Sequence, residues 1–101
     1  MKMTKERLTG LIRKMLNITK PSGVKYIEFD LEEEISDNEY YMSIIYIVPD
    51  DSEYLRSVNM RNSDLTRRYW NYEIQNTIQN YFNVDVVISS SSITSESWYN
   101  S

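Results

Sequence analysis

An α+β domain is what this sequence predicts: the order α-β-β-α-β, folded as a three-stranded mixed sheet with two helices on one face. Three observations carry the prediction. Two stretches repeat their apolar residues at helical spacing, three repeat them at strand spacing, and residues that break or turn the chain stand between them. The 101 residues suffice for one core. They divide into a domain over 1–89 and a serine-rich C-terminal tail over 90–101 that carries an aromatic anchor.

Each element has its own reason. Leu8, Leu11, Ile12, Met15 and Leu16 recur at helical spacing over 3–17, with Lys5, Glu6, Arg7, Arg13 and Lys14 mostly on the other side. Pro21 and Gly23 interrupt the pattern. Over 24–34, Ile27, Phe29 and Leu31 alternate with Glu28, Asp30 and Glu32, as in a half-exposed strand. Ser36-Asp37-Asn38-Glu39 is a turn. The stretch 40–48 is apolar on both faces, which suits a central strand or one covered on both sides, and Pro49 ends it. Residues 50–62 are the least regular, with Asp50, Asp51 and Ser52 placed to cap a short helical turn over Tyr54, Leu55 and Val58. A long helix is expected over 64–82, capped by Ser63. Its stripe is Trp70, Ile74, Ile78, Tyr81 and Phe82, joined by Leu65, Tyr69 and Tyr72. The third strand, 84–89, sets Val84, Val86 and Ile88 on one face. If it lies parallel to the second strand, the crossover between them is right-handed.

Composition excludes much chemistry. The chain has no histidine, no cysteine and two glycines. An imidazole base, a thiol nucleophile, a thiolate zinc cluster and a glycine-rich phosphate cradle are therefore all missing. The pattern points away from an enzyme and asks for no cofactor. The longest apolar run, 44–48, is far short of a membrane span. Lys5, Arg7, Arg13 and Lys14 interrupt any signal-peptide core.

The net charge of −4 is unevenly spread: residues 1–25 carry seven Lys/Arg and one Glu, while 26–54 carry ten Asp/Glu and no base. Arg56, Arg61, Arg67 and Arg68 then turn the chain basic again. A chain with this polarity is suited to stacking head to tail or to docking on a partner of matching pattern. Mutual neutralisation of neighbouring segments is the simpler account.

Three sets of residues are candidates for function. Glu28, Asp30, Glu32, Glu33, Glu34, Asp37 and Glu39 form an acidic strand and turn. Alternate carboxylates suit a hard cation, and with a lysine they suit a nuclease-like centre. The lysine that such a centre places after the strand carboxylate is missing, so a solvated or partner-facing surface is expected. Arg56, Arg61, Arg67 and Arg68 stand near Tyr69, Trp70 and Tyr72, a combination used by single-stranded nucleic-acid binders and by protein hot spots. The element order also resembles a KH domain, but the G-x-x-G loop of that fold is absent. Trp98 and Tyr99 either fold back onto the domain or anchor in a neighbour.

The texture of 1–16 (MKMTKERLTGLIRKML), the Asn-, Tyr- and Ser-rich stretch 62–83 and the low glycine content resemble small proteins of AT-rich tailed bacteriophages. The element order is similar to the tail-terminator or neck-connector family of phage ring proteins. The best-matching part is 40–51 (YYMSIIYIVPDD) followed by a helix and 84–89. The resemblance implies a non-enzymatic structural subunit, in the virion or host cytoplasm, that binds other virion subunits or itself. Glu28, Asp30, Glu32, Asp37 and Glu39 would then meet a basic face such as 5–14 or 61–68 of a neighbour, with Trp98 and Tyr99 locking the contact. Two alternatives use the same residues: an inhibitor of a host protein acting through the acidic face, and a KH-like nucleic-acid binder acting through Arg67 and Arg68.

Overall fold

Helix α1 (Lys5–Ile18) leads into a hairpin of β1 (Tyr26–Ser36) and β2 (Glu39–Val48). Helix α2 (Met60–Phe82) then crosses over to β3 (Asp85–Thr94), and a short helix α3 (Ser95–Tyr99) follows. The computed structural model describes residues 3–50 and 60–100, with the side chains of α2 described from Leu65 onward. The turn expected over Tyr54, Leu55 and Val58 lies outside the described residues. The sheet order is β1-β2-β3, antiparallel between the first two strands and parallel between the last two. A parallel pair requires a long crossover, which here contains α2.

Local chemistry sets the boundaries. The Thr4 hydroxyl accepts from the Arg7 N–H at 3.2 Å and caps α1. After α1, the Val24 N–H donates to the Pro21 carbonyl at 3.2 Å, and Gly23 holds φ at +91° between them. That positive φ is the third position of a type II turn, which favours glycine. Between Leu31 and Glu34 the ladder is irregular, so Glu32 and Glu33 together face the single residue Tyr41. Asn38 closes the hairpin at φ 60°, a conformation asparagine tolerates better than most residues. Its carbonyl accepts from the Asp85 N–H at 2.8 Å, tying the turn to the start of β3.

One face of the sheet makes the core. Ile27, Phe29 and Leu31 of β1 lie beside Tyr46, Ile44 and Met42 of β2, and Val86 of β3 lies beside Tyr40. Leu8, Ile12 and Leu16 of α1 pack there with Trp70, Ile74 and Ile78 of α2. Both helical rows run at i, i+4, i+8, the spacing that keeps side chains on one face. The wider α2 stripe expected from the sequence is corrected: Phe82 is half-buried, but Leu65, Tyr69, Tyr72 and Tyr81 are 54–69% exposed. Tyr69 and Tyr72 stand roughly 100° and 200° around the helix from Trp70 and cannot share its row.

Two further boundaries differ. Helix α2 already runs at Met60, so Ser63 is inside it rather than its cap; no Pro or Gly in 60–64 stops it there. Strand β3 continues past Ser89 to Thr94, so 90–94 belongs to the sheet rather than to a tail. Ser89 to Thr94 pair in unbroken register with Ser43 to Val48.

The chain leaves α2 through Asn83, whose φ is 53° and whose N–H donates to the Gln79 carbonyl at 2.9 Å. Glycine adopts this conformation without a Cβ penalty and a β-branched residue does not. Asn83→Gly is expected to hold or raise stability, and Asn83→Val to lower it by about 1–3 kcal/mol. Urea unfolding of the two variants beside wild type measures this.

Candidate interaction surfaces

The acidic residues fall into two groups. Glu28, half-buried on the sheet face away from the core, is neutralised within the chain: the Arg13 guanidinium lies 3.3 Å from its carboxylate, and the Tyr26 hydroxyl donates to it at 3.2 Å. That carboxylate holds the Tyr26 phenol above its ordinary value. Arg13 also stacks over the Phe29 ring at 4.8 Å. Glu28 and Phe29 point to opposite faces, so Arg13 reaches around the β1 edge. Glu39 is half-buried and accepts from the Ser36 hydroxyl at 3.1 Å. Asp30, Glu32, Glu33, Glu34 and Asp37 are exposed along β1 and around the turn. The bulge gathers Glu32 and Glu33 side by side. Among the described residues, no three carboxylates lie close enough to hold a metal ion.

The arginines occupy the opposite edge of the sheet, on its helix side. Arg67 is half-buried and Arg68 exposed on α2, and with Asn71 and Ser90 they line a groove of about 230 Å³ between α2 and β3. Arg56 and the side chain of Arg61 lie outside the described residues. Sequence reading passed over the floor of this groove. The Tyr46 ring packs on Trp70 at 5.0 Å between centroids, and its hydroxyl donates to Asn71 Oδ1 at 2.7 Å. Asn71 Nδ2 in turn donates to Ser90 Oγ at 2.9 Å. Burial pushes the Tyr46 phenol well above its ordinary value; Glu73 adds to the shift and Arg67 opposes it. No sequence motif announces these residues, which are separated by 25 and 19 positions and meet only because β3 lies parallel to β2.

A second groove, of about 370 Å³, runs between the α1–β1 turn and α2, where Tyr69 and Tyr72 face Lys20 and Pro21. The Glu73 carboxylate beside Tyr69 raises its phenol above the ordinary value. Ser22 and Lys25 have the Ser-x-x-Lys spacing of one hydrolase class, but they sit in the turn at Gly23 rather than one helical turn apart.

Trp98 and Tyr99 lie on α3, which folds back against β2 and β3. Asp50 accepts from the Glu96 N–H at 2.9 Å, and Thr94 Oγ1 from the Ser97 N–H at 3.1 Å, so both cap this helix. Ile47, fully buried yet outside the main core, and Tyr26, electrostatically coupled to Tyr99, place α3 on the sheet face opposite α1 and α2. Trp98 is half-buried and Tyr99 is 71% exposed. Further along the same face, Tyr41 and Val87 are paired and exposed.

These features define an α+β domain with an acidic hairpin at one edge of its sheet and a guanidinium-lined groove over the other. Comparison with protein-family models, curated proteins and solved structures finds no match to this chain. Among the described residues, no helix is long and apolar enough to cross a membrane.

Tyr46→Phe is expected to cost about 1–3 kcal/mol by leaving Asn71 without its donor. It also has a pH signature. The folded phenol binds its proton more tightly than the unfolded one, so its stabilisation is complete below the unfolded value of about 10 and is lost as pH rises above it. Above pH 10 wild-type stability therefore falls more steeply than that of Tyr46→Phe. Urea unfolding at pH 9 and above measures the difference, and parallel slopes would contradict it.

Proposed function

We propose that this chain is a non-enzymatic assembly subunit, of the kind that builds the neck or tail of a bacteriophage particle, and that it works by surface complementarity. The observation that carries this reading is the separation of charge on the fold. Exposed carboxylates line β1 and the hairpin turn, while Arg67 and Arg68 line a groove over β3 at the opposite edge. Charge held apart in this way favours contacts between molecules over contacts within one. Arg13 on Glu28 shows that the fold neutralises a carboxylate where an arginine lies close by. The exposed Tyr41, Val87 and Tyr99 add apolar contact area on the remaining sheet face.

Light scattering on the purified protein tests the reading. The expected result at low salt is a discrete multiple of the 12.1 kDa chain, shifting to smaller species as salt screens the contacts. A 12.1 kDa species at every concentration and salt would sink it. Weight would then pass to a second reading, favoured by the exposed carboxylates of Asp30, Glu32 and Glu33: a monomeric inhibitor whose acidic edge docks on a basic host protein.

A further inference from the structure

We infer that the outer face of α2 is a docking surface for α2 of a second copy of this chain, with the two helices parallel and in register. The inference rests on the assembly reading above and adds a contact to it. Helix α2 carries a second stripe, roughly opposite the row of Trp70, Ile74 and Ile78 that it buries. Leu65, Tyr69 and Tyr72 are 54–61% exposed, and the exposed Asn76 continues the series. Steps of four, three and four residues are the repeat of a coiled-coil seam, with Leu65 and Tyr72 at its d positions and Tyr69 and Asn76 at its a positions. Tyrosine is among the residues that interfaces favour. Packing of Trp70, Ile74 and Ile78 already holds α2 as a helix, so its outer face loses little freedom when a partner binds.

Charge selects the occupant and its direction. Arg68 and Glu73 border the stripe on opposite sides, each roughly 70° around the helix from its centre. Arg68 lines the groove beside β3, and Glu73 the groove beside the α1–β1 turn. Arg68 is exposed and has no hydrogen-bond or ion-pair partner among the described residues. Glu73 lies beside Tyr69, but an ionised carboxylate has about four acceptor positions and can take a guanidinium as well. In the repeat, Arg68 is a g position and Glu73 is the e position that follows it. Parallel helices in register set each g beside the following e of the other chain, so two Arg68–Glu73 pairs form across the contact. Antiparallel helices would instead set Arg68 beside Arg68 and Glu73 beside Glu73, like against like. Asn76 favours the same arrangement, because a single asparagine at an a position fixes register by facing its own copy. The stripe thus carries its own complement. Such a contact is isologous and closes at two copies. It lies on the helix layer and leaves the β1 carboxylates to further contacts.

Four variants test the contact by light scattering, each first shown by its melting curve to fold as wild type does. Tyr69→Ala/Tyr72→Ala strips the seam while keeping strong helix formers, and is expected to weaken association about tenfold or more. Arg68→Glu sets like charges across the contact and is expected to weaken it by a smaller factor. Arg68→Glu/Glu73→Arg exchanges the pair and is expected to restore association. The chain has no cysteine, so Asn76→Cys gives one thiol per copy. Mild oxidation is expected to link two such copies, because only the parallel, in-register pair brings the two thiols together. If wild type assembles and Tyr69→Ala/Tyr72→Ala assembles equally well, α2 is not a contact and the assembly reading stands without it. Loss of assembly in that variant, with no response to the charge exchange and no link through Asn76→Cys, overturns the parallel pairing. A wild type that is monomeric at every concentration overturns both readings. Binding of a short single-stranded oligonucleotide, lost in Tyr69→Ala/Tyr72→Ala, would instead assign the stripe to base stacking.

Discussion

The hydroxyl of Tyr46 has to be satisfied inside the helix–sheet interface, and much of the architecture follows from how that is done. Its ring lies on Trp70 and its oxygen reaches Asn71, the next residue of α2. The helix consequently presents two adjacent rows to the sheet. Trp70, Ile74 and Ile78 form the apolar one, and Asn71 and Gln75 the polar one. The polar row fastens β3: Asn71 through the Ser90 hydroxyl, and Gln75 through the Val86 carbonyl at 3.1 Å. A helix one residue out of register would set Tyr46 against an apolar side chain and leave its hydroxyl unpaired, a loss of about 1–3 kcal/mol. That is a sizeable share of the ~5–15 kcal/mol that holds a domain of this kind together.

The legible parts of the fold were those written in a single period. Alternation in β1, the doubly apolar β2 and the i, i+4 rows of α1 and α2 give the element order, the mixed sheet and most of the core, because burial on one face imposes each pattern directly. The end of β3 was not legible. Between Ile88 and Ile93 there are only serines, with no β-branched or aromatic residue to mark a strand. Pairing with β2 and the side chain of Asn71 supply what local preference does not. The groove was half legible for the same reason. Arg67 and Arg68 stand out as basic residues beside aromatics, but Asn71 and Ser90 are ordinary polar residues until the crossover brings them together. The helix start that Asp50 caps was not legible, since its partner Glu96 lies 46 positions away.

The two sheet faces are covered by different means. On the helix side, α1 and α2 bury a continuous layer. On the other side, among the described residues, the five residues of α3 cover the end around Ile47, and so short a helix has little stability of its own. Asp50 and Thr94 hold it in place by occupying two of the backbone N–H groups that a helix start leaves unpaired. Asp50 directly follows the Pro49 that ends the region of β2, so the residue that leaves the central strand also fixes the helix that covers it.

The edges of the sheet are unequal, and the inequality gives the charge pattern a physical logic. Strand β1 is an edge protected in the usual ways: a bulge, a row of exposed carboxylates and Arg13 folded around it. Strand β3, the other edge, carries no charged residue from Val86 to Thr94. A long uncharged edge invites indiscriminate pairing with other strands. The groove of Arg67 and Arg68 opens beside the middle of that edge, at Ser90. The two edges are therefore guarded by different means: carboxylates and a bulge on β1 itself, and beside β3 the guanidinium groups of Arg67 and Arg68, which belong to the helix over it rather than to the strand.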